Sequence, residues 1–275
     1  MVYGAGPEPL AVAHRGGAGL APENTLAAFG LATALGFRYL ETDVRLTADG
    51  ELVCFHDETV DRVTRARGRV ATRPLRGLKT LRVAGVEPIP TLTEVLEAHP
   101  DAHLMVDLKD EAAIAPLVKV LRRKGVAERV CVAGAWDGWL THLRGQVPGV
   151  TTALGWRSLT ALLSCARAGV RPPRSVATSP FAHVPVRIGR VPVFVERLVG
   201  MAHEIGVRVV VWTVDEPAVM HRLYDVGVDG VITDRPDLLR EVLIAREGWA
   251  PMQEPSPRAG VGTLSPRTPL TTGRS

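Results

Sequence analysis

The sequence predicts a single α/β domain: a (β/α)8 TIM barrel with an antiparallel return strand after strand 2 and a disordered C-terminal tail. Three observations carry this expectation. Apolar runs of strand length alternate with segments of helical period along most of the chain. A glycine followed by an apolar residue closes helix after helix, at Gly125-Val126, Gly169-Val170, Gly206-Val207 and Gly227-Val228, each before a strand-like run. His14, Glu41, Asp43, Asp107, Lys109, Trp212 and Asp234 fall at or near the C-terminal ends of the predicted strands. Barrels of this kind gather their reactive groups at those ends.

Taken in order, the first strand spans Ala11 to Ala13 and ends in His14-Arg15-Gly16-Gly17. A helix follows from Asn24 to Leu35, with Asn24 or Thr25 placed to cap it and Gly36 to end it. The second strand, Tyr39 to Val44, presents Glu41 and Asp43 two residues apart and therefore on one face. The chain then turns at Asp49-Gly50 and returns as Leu52 to Asp57. With a two-residue turn, Ala48 pairs with Glu51 and His56 lies directly opposite Asp43. Two acids and a histidine then share a face, and carboxylates aimed at one point repel unless a cation sits between them. That convergence points to a site.

The remaining strands are expected at His103 to Leu108, Val130 to Ala133, Thr151 to Leu154, Ser175 to Thr178, Val207 to Thr213 and Gly230 to Thr233. Phe194, Leu198, Met201 and Ile205 form one stripe at helical spacing and are expected in the core. Asp215 and Pro217 open the next helix as cap and first-turn residues. Between Glu58 and Pro100 the basic run Arg62 to Arg76 reads as a surface excursion, followed by a helix from Thr91 to Ala98. The domain division is a flexible N-terminal segment, 1–9, the barrel, 10–246, and a tail, 247–275, rich in Pro, Ser, Thr and Gly. Truncation after Arg246 is therefore expected to leave melting temperature and turnover nearly unchanged.

The chain has 275 residues, 46% hydrophobic and 23% charged, an ordinary composition for one large soluble domain. A net charge of +4, from 33 basic and 29 acidic residues, favours anionic small molecules and is too small to imply nucleic-acid binding. Cys54, Cys131 and Cys165 lack metal-type spacing and read as free thiols. The first ten residues carry no basic stretch followed by an apolar one, and no run approaches the roughly 18 apolar residues of a membrane span. A cytoplasmic location without stable membrane insertion is expected.

His14-Arg15-Gly16, Pro22-Glu23-Asn24-Thr25, Glu41-x-Asp43 and His56-Asp57 together resemble the signature of the glycerophosphodiester phosphodiesterase family. Leu104 to Lys109, Trp212-Thr213-Val214 and Gly227 to Asp234 extend the likeness, in order, over roughly residues 10 to 240. The resemblance implies a glycerophosphodiester as small-molecule substrate, His14 and His56 as an acid/base pair, and Glu41, Asp43 and Asp107 as ligands of a divalent cation. It also implies phosphate contacts from Arg15 and Lys109, and an apolar wall from Trp212 beside the glycerol moiety. Two positions depart from the family's pattern. Asp107 stands where Glu is common, and Asp215 where Asn is common. The family's variable insertion after the His-Asp pair is short here, which predicts an open mouth.

The residue types suit that chemistry. Hydrolysis of a phosphodiester calls for positive charge on its nonbridging oxygens, a base for the nucleophile and an acid for the leaving alkoxide. Three carboxylates are hard ligands suited to Mg²⁺ or Ca²⁺. Arg15 offers a bidentate phosphate contact, Lys109 a point charge, and the histidines titrate near working pH. A place opposite Asp43 would make His56 the acid. Three rival readings stay open: a lysophospholipase D acting on a lipid diester, a noncatalytic glycerophosphoryl-binding protein, and another metal-dependent barrel enzyme. The alcohol released and the oligomeric state are not fixed by the sequence.

Overall fold

The computed structural model describes residues 2–6, 9–188, 190–193 and 196–249. Eight parallel strands make up its centre: β1 (Leu10–Ala13), β2 (Tyr39–Leu46), β3 (His103–Leu108), β4 (Val130–Gly134), β5 (Thr151–Thr152), β6 (Phe181–Pro185), β7 (Arg208–Trp212) and β8 (Gly230–Thr233). They pair in the order β5-β4-β3-β2-β1-β8-β7-β6. A parallel bridge between Ala153 and Phe181 joins the two ends of that path and closes the ring. A helix follows each strand, the first at Leu26–Ala34 and the last at Pro236–Ala245, so the predicted (β/α)8 barrel is the observed one.

The period of two along each strand sorts the side chains. In β2, Leu40 and Val44 join the core shared with the helices, whereas Tyr39 belongs to the cluster inside the ring. Glu41 and Asp43 share the face of Tyr39 and so point inward. Leu10, Val12, Met105, Cys131, Phe181, Val210 and Ile232 fill the interior. Tyr3 closes its lower end: the residue is buried, its N–H donates to the Glu128 carbonyl at 2.7 Å, and its ring meets Tyr39, His103 and Phe181 edge-on. Tyr3 thus departs from the expectation of a flexible segment over 1–9. At the other end, Trp249 packs on Phe37, with ring centroids 5.2 Å apart, so the packed core reaches past Arg246. Truncation after Arg246 would remove that contact. The expected tail from Ala250 onward, and Phe194 of the expected stripe, lie outside the described residues.

Three local expectations are corrected. The sixth strand is Phe181–Pro185, and Arg174–Val176 is instead a 3-10 turn that follows Pro172-Pro173. A barrel strand needs cover on both faces, and Phe181, Ala182 and Val184 are buried whereas Val176 alone is buried between 175 and 178. The hairpin after β2 has a three-residue loop: Thr47 N–H donates to the Glu51 carbonyl at 2.9 Å, with Gly50 at φ 85°. Val44 therefore opposes Cys54, and His56 does not lie opposite Asp43. Asp215 does not cap the helix Pro217–Val226; it accepts hydrogen bonds from Thr233 Oγ1 and Asp234 N–H, both at 2.8 Å. The expected stripe on the helix Arg197–Glu204 holds for its described members: Leu198 is in the core, and the half-buried Met201 and Ile205 pack against it.

The excursion after β2 has a core of its own. Val53, Phe55, Val60, Val70, Leu78, Val83 and Ile89 pack together against the return strand Leu52–Cys54. Thr91 and Glu94 form a reciprocal capping box at the head of the helix Leu92–Ala98. Cys54 and Cys131 are buried free thiols, and Cys165 is free and half-buried. Among the described residues no helix is long and apolar enough to cross a membrane.

Candidate active site

The C-terminal ends of the strands open into a cavity of about 340 Å³. The turn after β1 builds its first wall. Arg15, Gly16 and Gly17 all adopt positive φ, at 50°, 82° and 94°. At Gly16 a Cβ would meet the Phe29 backbone nitrogen at 2.9 Å, so only glycine lets this turn pack on the helix Leu26–Ala34. The turn aims the Arg15 N–H at Glu41 Oε2, at 2.8 Å, and holds the His14 ring over the cavity. Asn24, also at positive φ, 55°, accepts from Thr42 Oγ1 at 2.8 Å and donates to Asp43 Oδ2 at 3.0 Å.

Each histidine is oriented through Nδ1 by a carboxylate, which leaves Nε2 as the nitrogen for exchange with a ligand. His14 Nδ1 lies 2.7 Å from Asp234 Oδ1, and His56 Nδ1 lies 2.6 Å from Asp57 Oδ1. Asp215 in turn fixes the Asp234 backbone. The Arg45 guanidinium donates to the His56 carbonyl at 2.9 Å, so the chain is pinned where it leaves the return strand. Burial opposes charge on His14, but the Asp234 bond and the nearby Glu41 outweigh it and raise its pKa. Burial likewise opposes ionisation of Asp57, and Arg62 and His56 overcome this and hold its pKa down at about 2.

Asp43 and Asp107 are register partners on adjacent strands β2 and β3. Lys109 Nζ bridges them, 2.9 Å from Asp43 Oδ1 and 2.6 Å from Asp107 Oδ2, and Arg15 Nε lies 3.3 Å from Asp43 Oδ2. Burial works against ionisation of Asp43, yet Lys109, Arg15 and His56 lower its pKa. Glu41 differs: burial and the charge of Asp43 push its pKa up to about 7. Three carboxylates thus face two fixed cations, and the nearest positive group to Glu41 is His14, whose Nε2 lies 3.9 Å from Glu41 Oε2. That excess suits a hard dication. Among the described residues no three of His, Cys, Asp and Glu already converge at metal-binding distance, because Lys109 stands between Asp43 and Asp107.

All eight residues singled out in the sequence line this one cavity: His14, Arg15, Glu41, Asp43, His56, Asp107, Lys109 and Trp212. Several neighbours were not foreseen as part of it. Glu23 binds Arg15 and Arg62, and Arg62 reaches Asp57, so a residue of the supposed surface run braces the site. Glu23 and Asp57 lie inside motifs that marked the family, which was the available signal. Trp136, Trp139 and Trp156 also line the cavity, and no spacing in the sequence links them.

Residues 14–238 match the model of the glycerophosphoryl diester phosphodiesterase family. The chain belongs to that family. Among curated relatives it is 39% identical over 244 residues to "Probable glycerophosphodiester phosphodiesterase 2" of Mycobacterium tuberculosis, covering 87% of this chain and 92% of the relative. It is 34% identical over 256 residues to the glycerophosphodiester phosphodiesterase of Caldanaerobacter subterraneus subsp. tengcongensis, covering 87% and 98%. Among solved structures, a phosphodiesterase from Oleispira antarctica, in complex with the product sn-glycerol-3-phosphate, superposes with a TM-score of 0.71 at 25% identity, covering 86% of this chain and 97% of that one. As a member of this family, the chain is a phosphoric diester hydrolase.

Proposed function

We propose that this phosphodiesterase-family enzyme hydrolyses glycerophosphodiesters to glycerol 3-phosphate and an alcohol, with His14 and His56 exchanging the protons. The observation that carries this reading is the pair of carboxylate-oriented imidazoles facing one cavity with Arg15 and Lys109. A phosphate set among these groups meets a bidentate guanidinium and an ammonium, while one imidazole holds the proton of the attacking hydroxyl and the other returns a proton to the leaving oxygen. Asp234 and Asp57 fix each ring's tautomer, so that Nε2 is the working nitrogen. The corrected hairpin register removes the position opposite Asp43 as a reason to name His56 the acid. His14 and His56 are therefore assigned as a pair.

Glu41, Asp43 and Asp107 would hold a divalent cation, Mg²⁺ or Ca²⁺. When bound, it would supply positive charge to the nonbridging oxygens of the phosphate. Three carboxylates against the two fixed cations Arg15 and Lys109 support this, as does a donor set made only of oxygens. Trp212, on β7, offers an apolar wall for the glycerol moiety.

The test is a panel of glycerophosphodiesters and lysophosphatidylcholine, assayed for glycerol 3-phosphate and for lysophosphatidic acid, with Mg²⁺, Ca²⁺ or EDTA. Glycerol 3-phosphate release that stops in EDTA and returns with cation is expected. Preferential release of lysophosphatidic acid would favour the lysophospholipase D reading, for which Trp136 and Trp156 supply some apolar surface at the mouth. Full activity in EDTA would remove the cation from the account.

A further inference from the structure

The cavity has two chemically different halves. The phosphate-binding and proton-exchanging groups come from the ends of β1, β2 and β3 and from the return segment. Next to them along the ring, the loops after β4 and β5 contribute three indoles: Trp136 and Trp139, from the start of the helix Asp137–Gln146, and Trp156, which opens the helix Trp156–Ala168. Trp136 is 62% exposed and Trp156 41%, so neither ring is placed there by the core. Large indoles left against water at the mouth of a cavity are costly unless a ligand covers them.

These rings stand on a braced support. Trp156 N–H donates to the Ala135 carbonyl at 3.0 Å, which ties the two loops together. The Asp137 carboxylate accepts from Arg157 N–H at 3.1 Å and from the Ser158 hydroxyl, locking the same seam. Gly155 is required there, because a Cβ would lie 2.5 Å from Asp137 Oδ2. The Trp136 and Trp139 rings meet edge to face, with centroids 6.4 Å apart at 64°. Leu154 and Leu159 complete the wall. Among the described residues, the arginine and lysine that line the cavity, Arg15 and Lys109, follow β1 and β3 and are paired with carboxylates. No other arginine or lysine is among the lining residues; Arg157 follows Trp156 and is exposed, and Asp137 carries the opposite charge at the same seam.

We propose that Trp136, Trp139 and Trp156 form the subsite for the departing alcohol and select one that ends in a quaternary ammonium group. This rests on the glycerophosphodiester reading above. Indole faces attract a diffuse cation, and trimethylammonium also buries its methyl groups against them. A primary ammonium holds its water more strongly, and a neutral polyol gains neither contact.

The test compares kcat/KM on glycerophosphocholine, glycerophosphoethanolamine, glycerophosphoglycerol and the neutral 3,3-dimethylbutyl analogue of the choline diester. The wild type is expected to prefer the choline diester over the dimethylbutyl analogue by about five- to thirtyfold, the range from one exposed to one desolvated cation–π contact. Trp136→Ala and Trp156→Ala should each lower the choline-to-glycerol selectivity ratio by about threefold or more. Trp156→Leu, which keeps apolar area, should lose the preference over the dimethylbutyl analogue while still accepting both. Selectivity ratios unchanged in all three variants, or no wild-type preference for the charged diester, would overturn the proposal. If the protein hydrolysed none of the diesters, the phosphodiesterase reading would fail separately. Tryptophan fluorescence would then decide the subsite: saturable quenching by glycerophosphocholine but not by glycerophosphoglycerol upholds it, and equal or absent quenching rejects it.

Discussion

His14 and His56 hold their carboxylate partners through the same ring nitrogen, yet their surroundings differ. His14 faces Glu41 and Arg15, and its Asp234 partner is itself fixed by Asp215; His56 shares Asp57 with Arg62. Their roles separate by leaving group. Loss of the general acid should be severe for an alkyl diester such as glycerophosphocholine and mild for a nitrophenyl diester, whose leaving group needs little protonation. Loss of the general base shows no such relief. Each of His14→Ala and His56→Ala should lower kcat on the alkyl diester by roughly 10² to 10⁴, and one of them alone should recover on the nitrophenyl ester. If neither lost activity on the alkyl diester, the two-histidine mechanism would have to be abandoned. At this scale the sequence was informative because order and spacing carried the resemblance. It was silent on Trp136, Trp139 and Trp156, which come from two separate loops and meet only through the fold.

Elements were legible where one face is buried on each side. β3 spans His103–Leu108 in sequence and structure alike, because its alternation and apolar density leave a single register. β6 is hidden in the sequence because Pro180 and Pro185 bracket its four other residues and make it read as a loop. The hairpin after β2 failed differently. Asp-Gly serves both two- and three-residue turns, and here Asp49 accepts from Thr47 Oγ1 at 2.6 Å and from Leu75 N–H at 2.9 Å, which selects the longer loop. In that loop Gly50 takes φ 85° with open space around its missing Cβ. Gly50→Ala should therefore cost only the backbone strain of the left-handed conformation, about 1 to 2 kcal/mol, read as a fall in denaturant midpoint with unchanged slope. No change would mean that the loop relaxes to another turn.

For the molecule as a whole, the barrel is closed below and open above, and that asymmetry puts the chemistry at one end. Tyr3 closes the lower end, and its buried hydroxyl has no hydrogen-bond partner among the described residues. Tyr3→Ala should destabilise by about 3 to 5 kcal/mol, as truncation of large core aromatics does. Tyr3→Phe should be neutral or stabilising, since it removes an unpaired buried group. A stabilising Tyr3→Ala would show that the residue does not pack there. His103, stacked on Tyr39 beside the Tyr3 ring, has its pKa pushed down to about 4, by burial first and then by the charge of Arg38. The unfolded chain binds that proton near pH 6.5, so stability is complete above that pH. It should fall by up to about 3 kcal/mol as pH drops from 6.5 to 4. His103→Asn should flatten that part of the profile, measured by denaturant unfolding at several pH values; an unchanged profile would assign the loss to other groups.

The central claim is that water is added across a P–O bond of a glycerophosphodiester in the cavity lined by His14 and His56. The measurement that meets it most directly is ³¹P NMR of the reaction with glycerophosphocholine in ¹⁸O-enriched water and Mg²⁺ or Ca²⁺. The diester resonance should give way to that of glycerol 3-phosphate carrying one ¹⁸O on phosphorus, with no conversion in the His14→Ala, His56→Ala double variant. A diester signal that persists with wild-type protein, a monoester without label on phosphorus, or undiminished conversion by the double variant would contradict it.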